Sequence, residues 1–492
     1  MYFNYVGFDL LCTRNFMTQI RIFFILLLLS CNSYGQTSWT LQQCIDHALA
    51  NNLSIKQSEL GVELSKTGVN QSTATLFPSL NGYASNNYYF GRSIDPYTNQ
   101  FTENQVRSNS FSLSSSLSLF EGFTLINSLK QSKLNYMSSK YDLVKVKNDM
   151  ALNVATVYLQ VIYNKELLAI TTDQVDATKL QRNRMKRMEE LGSASKGNLL
   201  DMESQLAADE LRLITAQSAY NQSMLTLKQL LELDTVADFR IVVPEFPAPQ
   251  MEAGYSDVQA IYLSALSNQP DVKSYEYKVL SAEKGLSIAK GAVYPRLSMS
   301  GNIGTSFSTS SQRVKGYNTS IGGFPLIGYT ADTVAVYSAY PETTVSPVLE
   351  NTPFNDQLDA NLSKSIGFSL SIPLFNGWST HSNIKRARIN LQQTQLGFEQ
   401  TKKGMYKSIE QAVADAGAAY QKFVAGEKNV SAQQQSMNMN QQKYDVGLIS
   451  TYDYLLAKNN FTKAKADLLQ AKFDYIFRVK VLDFYMGKSL SF

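Results

Sequence analysis

The 492-residue chain carries 45 Lys and Arg against 41 Asp and Glu, a net charge of +4 without any polybasic run, so its charge gives no argument for a nucleic-acid partner. Its composition is ordinary apart from 28 Tyr, 25 Phe and only 17% charged residues, and its length allows two or more domains. The two histidines, His47 and His381, lie far apart without clustered Cys or carboxylate partners, which suggests neither a metal site nor a catalytic triad; no enzyme and no cofactor is expected.

The one solid apolar run, Ile22 to Leu29, directly follows Arg21 and is far shorter than the ~20 residues a spanning helix needs. It reads as the core of an export signal over residues 1–35, with Met17 as an alternative start. Small residues at Ser33 and Gly35 place cleavage before Gln36. A rival reading makes Cys31 the acylated residue of a lipoprotein signal, although Leu29 is bulky for that pattern. Cleavage before Gln36 leaves Cys44 alone, excludes an intramolecular disulfide, and makes Cys44 a small buried helix residue.

Thr40 and Gln43 form a capping box that opens a helix ending near Asn51 and Asn52. A second helix runs from about Leu53 to Thr75 and stops at Phe77-Pro78, where proline forces its predecessor extended and a strand begins at Leu80. The pattern recurs 217 residues later: Asp257 stands for Thr40, Ala265 and Leu266 for Ala48 and Leu49, and Tyr294-Pro295 for Phe77-Pro78.

From Ser110 to Phe120, Phe111, Leu113, Leu117 and Leu119 alternate with Ser110, Ser112, Ser114, Ser116 and Ser118, broken only by Ser115. A period of two reads as a strand, here with an aliphatic face and a hydroxyl face, which suits a wall between lipid and water as well as a soluble sandwich. The stretch returns 255 residues later at Ser365 to Phe375. Both copies lead into Leu-Phe-x-Gly-aromatic, Leu119 to Phe123 and Leu374 to Trp378, so a tandem duplication is expected. The change of offset from 217 to 255 leaves 38 extra residues between the paired strands of the second half. They fall at about 306–359, where Ser, Thr, Gly, Tyr and Pro without a helical period predict a long exposed loop; its counterpart is 92–108.

From Thr124 to Glu190 the period is helical over roughly 100 Å at 1.5 Å per residue. Met150, Val154, Val157, Val161, Leu168 and Val175 keep a coiled-coil spacing, and Met405, Ile409, Ala412, Ala416, Phe423 and Val430 occupy the same positions at +255. Each long helix ends at a glycine, Gly192 or Gly447, and a return helix follows, Gly197 to Glu232 and Thr451 to Met486. Leu233 to Tyr255, with Pro244, Pro247 and Pro249, reads as the linker between repeats 36–254 and 255–492, with one strand at Phe239 to Val243. Four lipid-facing strands leave two open edges, each unpaired group costing several kcal/mol in hydrocarbon, so closure must come from copies of the chain; three supply twelve strands.

The paired Ala-Leu helices, the aromatic-Pro turns, the Leu-Phe-x-Gly exits and the tip Val446-Gly447-Leu448-Ile449-Ser450-Thr451 followed by Asp453 and Leu455 resemble the outer membrane factors typified by the TolC efflux proteins. The likeness spans essentially all of Gln36 to Phe492. It implies an α plus membrane-β fold: a long antiparallel helical tunnel in the periplasm under a trimeric twelve-stranded outer membrane barrel. It further implies export of small molecules or proteins, with a periplasmic adaptor, an inner membrane transporter of RND or ABC type and outer membrane lipid as partners. Adaptor docking is placed at the tips, Leu191, Gly192, Ser193, Gly447, Leu448, Ser450 and Thr451. Where relatives carry acidic residues at the periplasmic mouth, this chain has Asn438 and Gln441, which puts a cation-binding carboxylate ring in doubt; ordinary solvated amides are the alternative. A trimeric coiled-coil surface adhesin, or a structural outer membrane protein, is the competing class, but it would normally carry its strands at one end of the chain.

Overall fold

A computed structural model describes residues 38–94, 99, 101–102, 105–233, 239–246, 249–250 and 253–488. The expected leader, with Cys31 and the cleavage point at Gln36, lies outside the described residues. The described residues form two compact units, one drawn from 38–61, 140–273 and 399–488 and one from 62–139 and 274–398.

The duplication governs the elements. Helices α1 (Leu41–Asn51) and α2 (Leu53–Ala74) match α5 (Val258–Asn268) and α6 (Pro270–Gly291) at 11 and 22 residues. The long helices α3 (Thr124–Glu190) and α8 (Ser379–Asp445) both have 67 residues, and their return helices α4 (Lys196–Leu230) and α9 (Thr451–Tyr485) both have 35. The capping box at Thr40 is present, with the Gln43 amide donating to the Thr40 hydroxyl and the Thr40 amide to the Gln43 side chain. Asp257 caps α5 at the equivalent position.

The first unit is helical. Val154, Val161 and Val175 of the first seam are fully buried, Ile409 likewise, and Met405, Ala412, Ala416 and Phe423 are buried beside it. Burying a side chain of the Val or Ile class contributes roughly 1.5–3 kcal/mol, so these positions hold the helices in register more firmly than helix propensity does. One core joins Leu41, Cys44, Ile45 and Ala48 of α1 to Tyr158, Leu159 and Ile162 of α3 and Leu227 of α4. Strand β1 (Ser38–Trp39) pairs in parallel with β6 (Arg240–Ile241) over this core, and the Tyr158 hydroxyl donates to the Val242 carbonyl at 2.5 Å. The linker strand expected over Phe239 to Val243 is thus only two residues long. Cys44 is fully buried on α1, and burial pushes its thiol up to about 12.

The second unit is built on a four-stranded antiparallel sheet in the order β12-β7-β5-β2, with β2 at Ser79–Tyr89, β5 at Val106–Glu121, β7 at Arg296–Ser308 and β12 at Ser363–Ser371. Two expectations change here. The second copy of the strand stops at Ser371 rather than Phe375, because Pro373 has no N–H for a ladder. In the first copy a bulge at Leu119 interrupts the alternation, so Phe120 pairs with Leu297.

The stretch 306–359 is also more ordered than a loop. Strands β8 (Gln312–Ile321) and β11 (Thr343–Asn351) form an antiparallel ribbon, continued by β9 (Leu326–Tyr329) and β10 (Ala335–Tyr337). A short helix α7 (Phe354–Ala360) follows, and its buried Gln357 accepts from the Ser308 amide and donates to the Ser308 and Thr352 carbonyls. Between β2 and β5 lies the small hairpin of β3 (Ser93–Ile94) and β4 (Phe101–Thr102).

Candidate functional site

The sheet has two chemically distinct faces. Registered pairing aligns Asn81, Ser114, Asn302 and Ser365 in one rung and Ser79, Ser116, Ser300 and Gly367 in another. The rung between them reads Leu80, Ser115, Gly301 and Ile366, and the rungs on either side read Gly82, Leu113, Ile303 and Lys364, and Leu117, Met299 and Phe368. One face is therefore hydroxyl and amide, with direct contacts such as Ser79 to Ser116 at 2.8 Å and Ser85 to Ser110 at 2.7 Å. The other exposes Leu113, Ile303, Ile366, Phe368 and Leu370. No helix among the described residues is long and apolar enough to cross a membrane.

Among the described residues the sheet is open at both sides, since β2 pairs only with β5 and β12 only with β7. Every residue of β12 is exposed, and Leu374 and Phe375 beyond it are 92% and 83% exposed. At the equivalent exit of β5, Phe120 is half-buried. Both exits turn through two left-handed residues, Gly122 with Phe123 and Gly377 with Trp378, a conformation that favours glycine. At Gly122 the requirement is absolute, because a Cβ there would lie 2.2 Å from the Gly291 carbonyl oxygen.

The helix tips form the second feature. Gly192 and Gly447 take φ of +73° and +75°. The Leu448 amide donates to the Lys443 carbonyl and the Gly447 amide to the Tyr444 carbonyl, a Schellman closure repeated by Ser193 to Met188 and Gly192 to Glu189. The tips are brought together in one small core of Met185, Met202, Tyr454 and Leu455, against which Met437, Tyr444 and Ile449 pack. Tyr444 stacks on Tyr454 at 4.5 Å, and Arg184 donates to Asp445 at 2.6 Å.

The seven expected docking residues divide by what they touch. Leu191 and Leu448 are 83% and 74% exposed. Ser193 donates to the Met188 carbonyl, Ser450 caps α9 in a box with Asp453, and Thr451 is buried, so these three hold the turn. Of the expected mouth residues, Asn438 is exposed, whereas Gln441 donates to Asp445 at 3.1 Å. That bond and the Arg184 guanidinium hold the Asp445 carboxyl below the usual range.

Deeper in the same unit is a polar node that sequence reasoning missed. Lys458, 5% exposed, donates to the Thr178 hydroxyl at 2.7 Å; that hydroxyl lies 2.6 Å from Asp209, which also receives Gln174, Gln205 and Arg212. A lysine in a helical run carries no mark of burial; the only available signal was its place on the buried face beside Tyr454 and Leu455.

His47 packs edge-on against Trp39, and His381 lies against Trp378 with ring centres 4.5 Å apart. Among the described residues no group of three or more metal-binding side chains is present.

A sheet with one hydroxyl and one apolar face, in a chain that also carries long paired helices, suits a membrane channel. The model of the outer membrane efflux protein family matches residues 44–232 and 261–488, and the chain belongs to that family. It is 21% identical over 447 residues to Toxin and drug export protein A of Aggregatibacter actinomycetemcomitans, covering 89% of this chain and 83% of that protein. Outer membrane efflux protein BepC of Brucella suis biovar 1 is 21% identical over 446 residues, at 89% and 83% coverage. Among solved structures, CusC matches with a TM-score of 0.73 at 18% identity over 93% of this chain and 96% of that one. The Campylobacter jejuni CmeC outer membrane channel matches with 0.73 at 16% identity over 91% and 85%. The chain is an outer membrane exit duct of an efflux system, with its sheet in the outer membrane and its helices in the periplasm; family and fold are those of channels rather than enzymes.

Proposed function

We propose that three copies close into a twelve-stranded barrel, and that the resulting duct carries small molecules or proteins outward from an inner membrane transporter of RND or ABC type. A periplasmic adaptor joins the two at the helix tips. The observation that supports this reading most directly is the pair of unpaired edges on a sheet whose outer face is apolar. In hydrocarbon each open backbone group costs several kcal/mol, so a lone sheet is excluded, while closure with two further copies pairs every strand and puts the hydroxyl face around water. The relative named for toxin and drug export favours small-molecule or protein cargo.

The remaining assignments follow from the same reading: residues 1–35 as leader, repeats 36–254 and 255–492, and the ribbon within 306–359 as the extracellular insertion. Leu191 and Leu448 would contact the adaptor directly, with Gly192 and Gly447 shaping the turns. Asn438 would line a mouth without a carboxylate ring, since Asp445 is already engaged by Arg184. Native mass measurement of the detergent-extracted protein should give three chains. A folded, membrane-inserted monomer would overturn the closure.

A further inference from the structure

The two sequence offsets carry quantitative information about an interface that one chain does not contain. Strand β7 is β2 displaced by 217 residues, and β12 is β5 displaced by 255. The observed ladders obey these displacements. In the first hairpin Ser79 pairs with Ser116 and Ser85 with Ser110. Moving each strand by its own offset turns these pairs into Arg296 with Ser371 and Asn302 with Ser365, which are the pairs found in the second hairpin. The duplication therefore preserves register to the residue.

The junction between the hairpins, β5 with β7, is the one contact of its kind inside a chain. In a closed trimer its counterpart joins β12 of one copy to β2 of the next. Applying the same offsets to the β5–β7 ladder, Ser110 with Ser306 becomes Ser365 with Tyr89, and Ser114 with Asn302 becomes Ser369 with Ser85. We infer that β12 pairs with β2 of a second copy in this register, running from Ser365 against Tyr89, through Gly367 against Asn87 and Ser369 against Ser85, to Ser371 against Tyr83. The inference rests on trimeric closure and goes beyond it by naming which residues meet.

An independent check lies in the faces. The register sets hydroxyl-face residues of one copy opposite hydroxyl-face residues of the next. It also sets the apolar-phase residues Ile366, Phe368 and Leu370 opposite Tyr88, Asn86 and Ala84, which are on the apolar phase of β2 through pairing with Arg107, Asn109 and Phe111. A slip of one residue would bring lipid-facing groups into the lumen. The full exposure of β12 in a single chain is what such a seam requires before it is covered.

Directly opposed residues in an antiparallel pair have Cα atoms about 4.5–5.5 Å apart, inside the window of about 4.4–6.8 Å for a disulfide, whereas diagonal neighbours are about 7–8 Å apart. The pairs Ser85→Cys with Ser369→Cys and Ala84→Cys with Leu370→Cys sit on opposite faces, so each tests the register independently of the other. Cys44 is buried and does not compete. Mild oxidation in membranes should convert both double variants into covalently linked trimers on non-reducing gels. The offset pairs Ser85→Cys with Ser371→Cys and Ala84→Cys with Ser369→Cys should stay as single chains. Native mass measurement of the same samples separates two failures. Trimers that link only through an offset pair, or through none, overturn the register; monomers overturn the closure beneath it.

Discussion

Lys458 shows how one side chain links burial, charge and helix packing. Burial lowers its ammonium to about 8, although the nearby Asp209 charge pulls the other way. The groups facing it are Thr178 from α3, Asp209 from α4, with Arg212 on the far side of Asp209, and Thr462 one turn on along α9, which bonds Gln174. Because the folded state holds the proton less tightly than the unfolded chain, protonation costs stability. Stability should rise as pH climbs from about 8 towards the unfolded lysine value near 10.5, and the full cost should be present below 8. A shift of this size corresponds to roughly 3–4 kcal/mol. Lys458→Met should therefore remove most of that slope and leave stability at neutral pH unchanged or higher. Asp209→Ala, which removes the buried acceptor of Thr178 and Gln174, should cost about 1–3 kcal/mol. Thermal unfolding of the periplasmic helices between pH 7 and 10.5 measures both, and an unchanged slope in Lys458→Met would assign the titration elsewhere.

At the scale of elements, the helix tips separate shaping residues from contact residues. Ser450→Arg would remove a capping box worth about 0.5–2 kcal/mol, and a resulting loss of transport would say nothing about docking. Leu191→Asp and Leu448→Asp change only exposed side chains next to intact glycine turns. Both variants are expected to reach the outer membrane as trimers, to keep the Arg184–Asp445 pair, and to lose adaptor cross-linking with at least a tenfold loss of transport. Normal transport by both would remove the tips from the docking surface.

Most of this layout was legible in the sequence, because helix ends are written in local chemistry. Thr40 and Gln43, Gly192 and Gly447, and the spacing of 255 each mark a boundary that the structure places within one or two residues. What was not legible depended on partners distant in the chain. The ribbon's strands have no clean alternation, since both its faces meet solvent, and Pro347 within β11 argues against a strand when read alone. The bulge at Leu119 exists only relative to Leu297 and Ser298 across the ladder. The pairing of Arg184 with Asp445 joins residues 261 positions apart, which no local pattern reports.

For the whole molecule, chain connectivity decides which end of the sheet faces outward. Strands β5 and β12 run into α3 and α8, and β2 and β7 follow α2 and α6, so all four strands meet helices at one end. The helices are periplasmic, and on that basis we propose that the β2–β5 and β7–β12 connections lie at the cell exterior. The β8–β11 ribbon is the larger of these. Its base is clamped by Arg313 bonding Glu350 at 2.8 Å and Asp356 at 2.7 Å. Beyond that clamp it exposes Tyr317, Phe324, Tyr329, Tyr337 and Tyr340 around a turn in which Thr333 takes φ of +61°. A two-stranded ribbon alone is only marginally stable, so it should open often enough for a protease to enter. Chymotrypsin added to intact cells is expected to cut between Tyr317 and Tyr340 and leave two fragments that remain together in the outer membrane, because the four barrel strands flank the cut on both sides. Full protection in intact cells, with cleavage only after the outer membrane is ruptured, would reverse the orientation and place the ribbon in the periplasm.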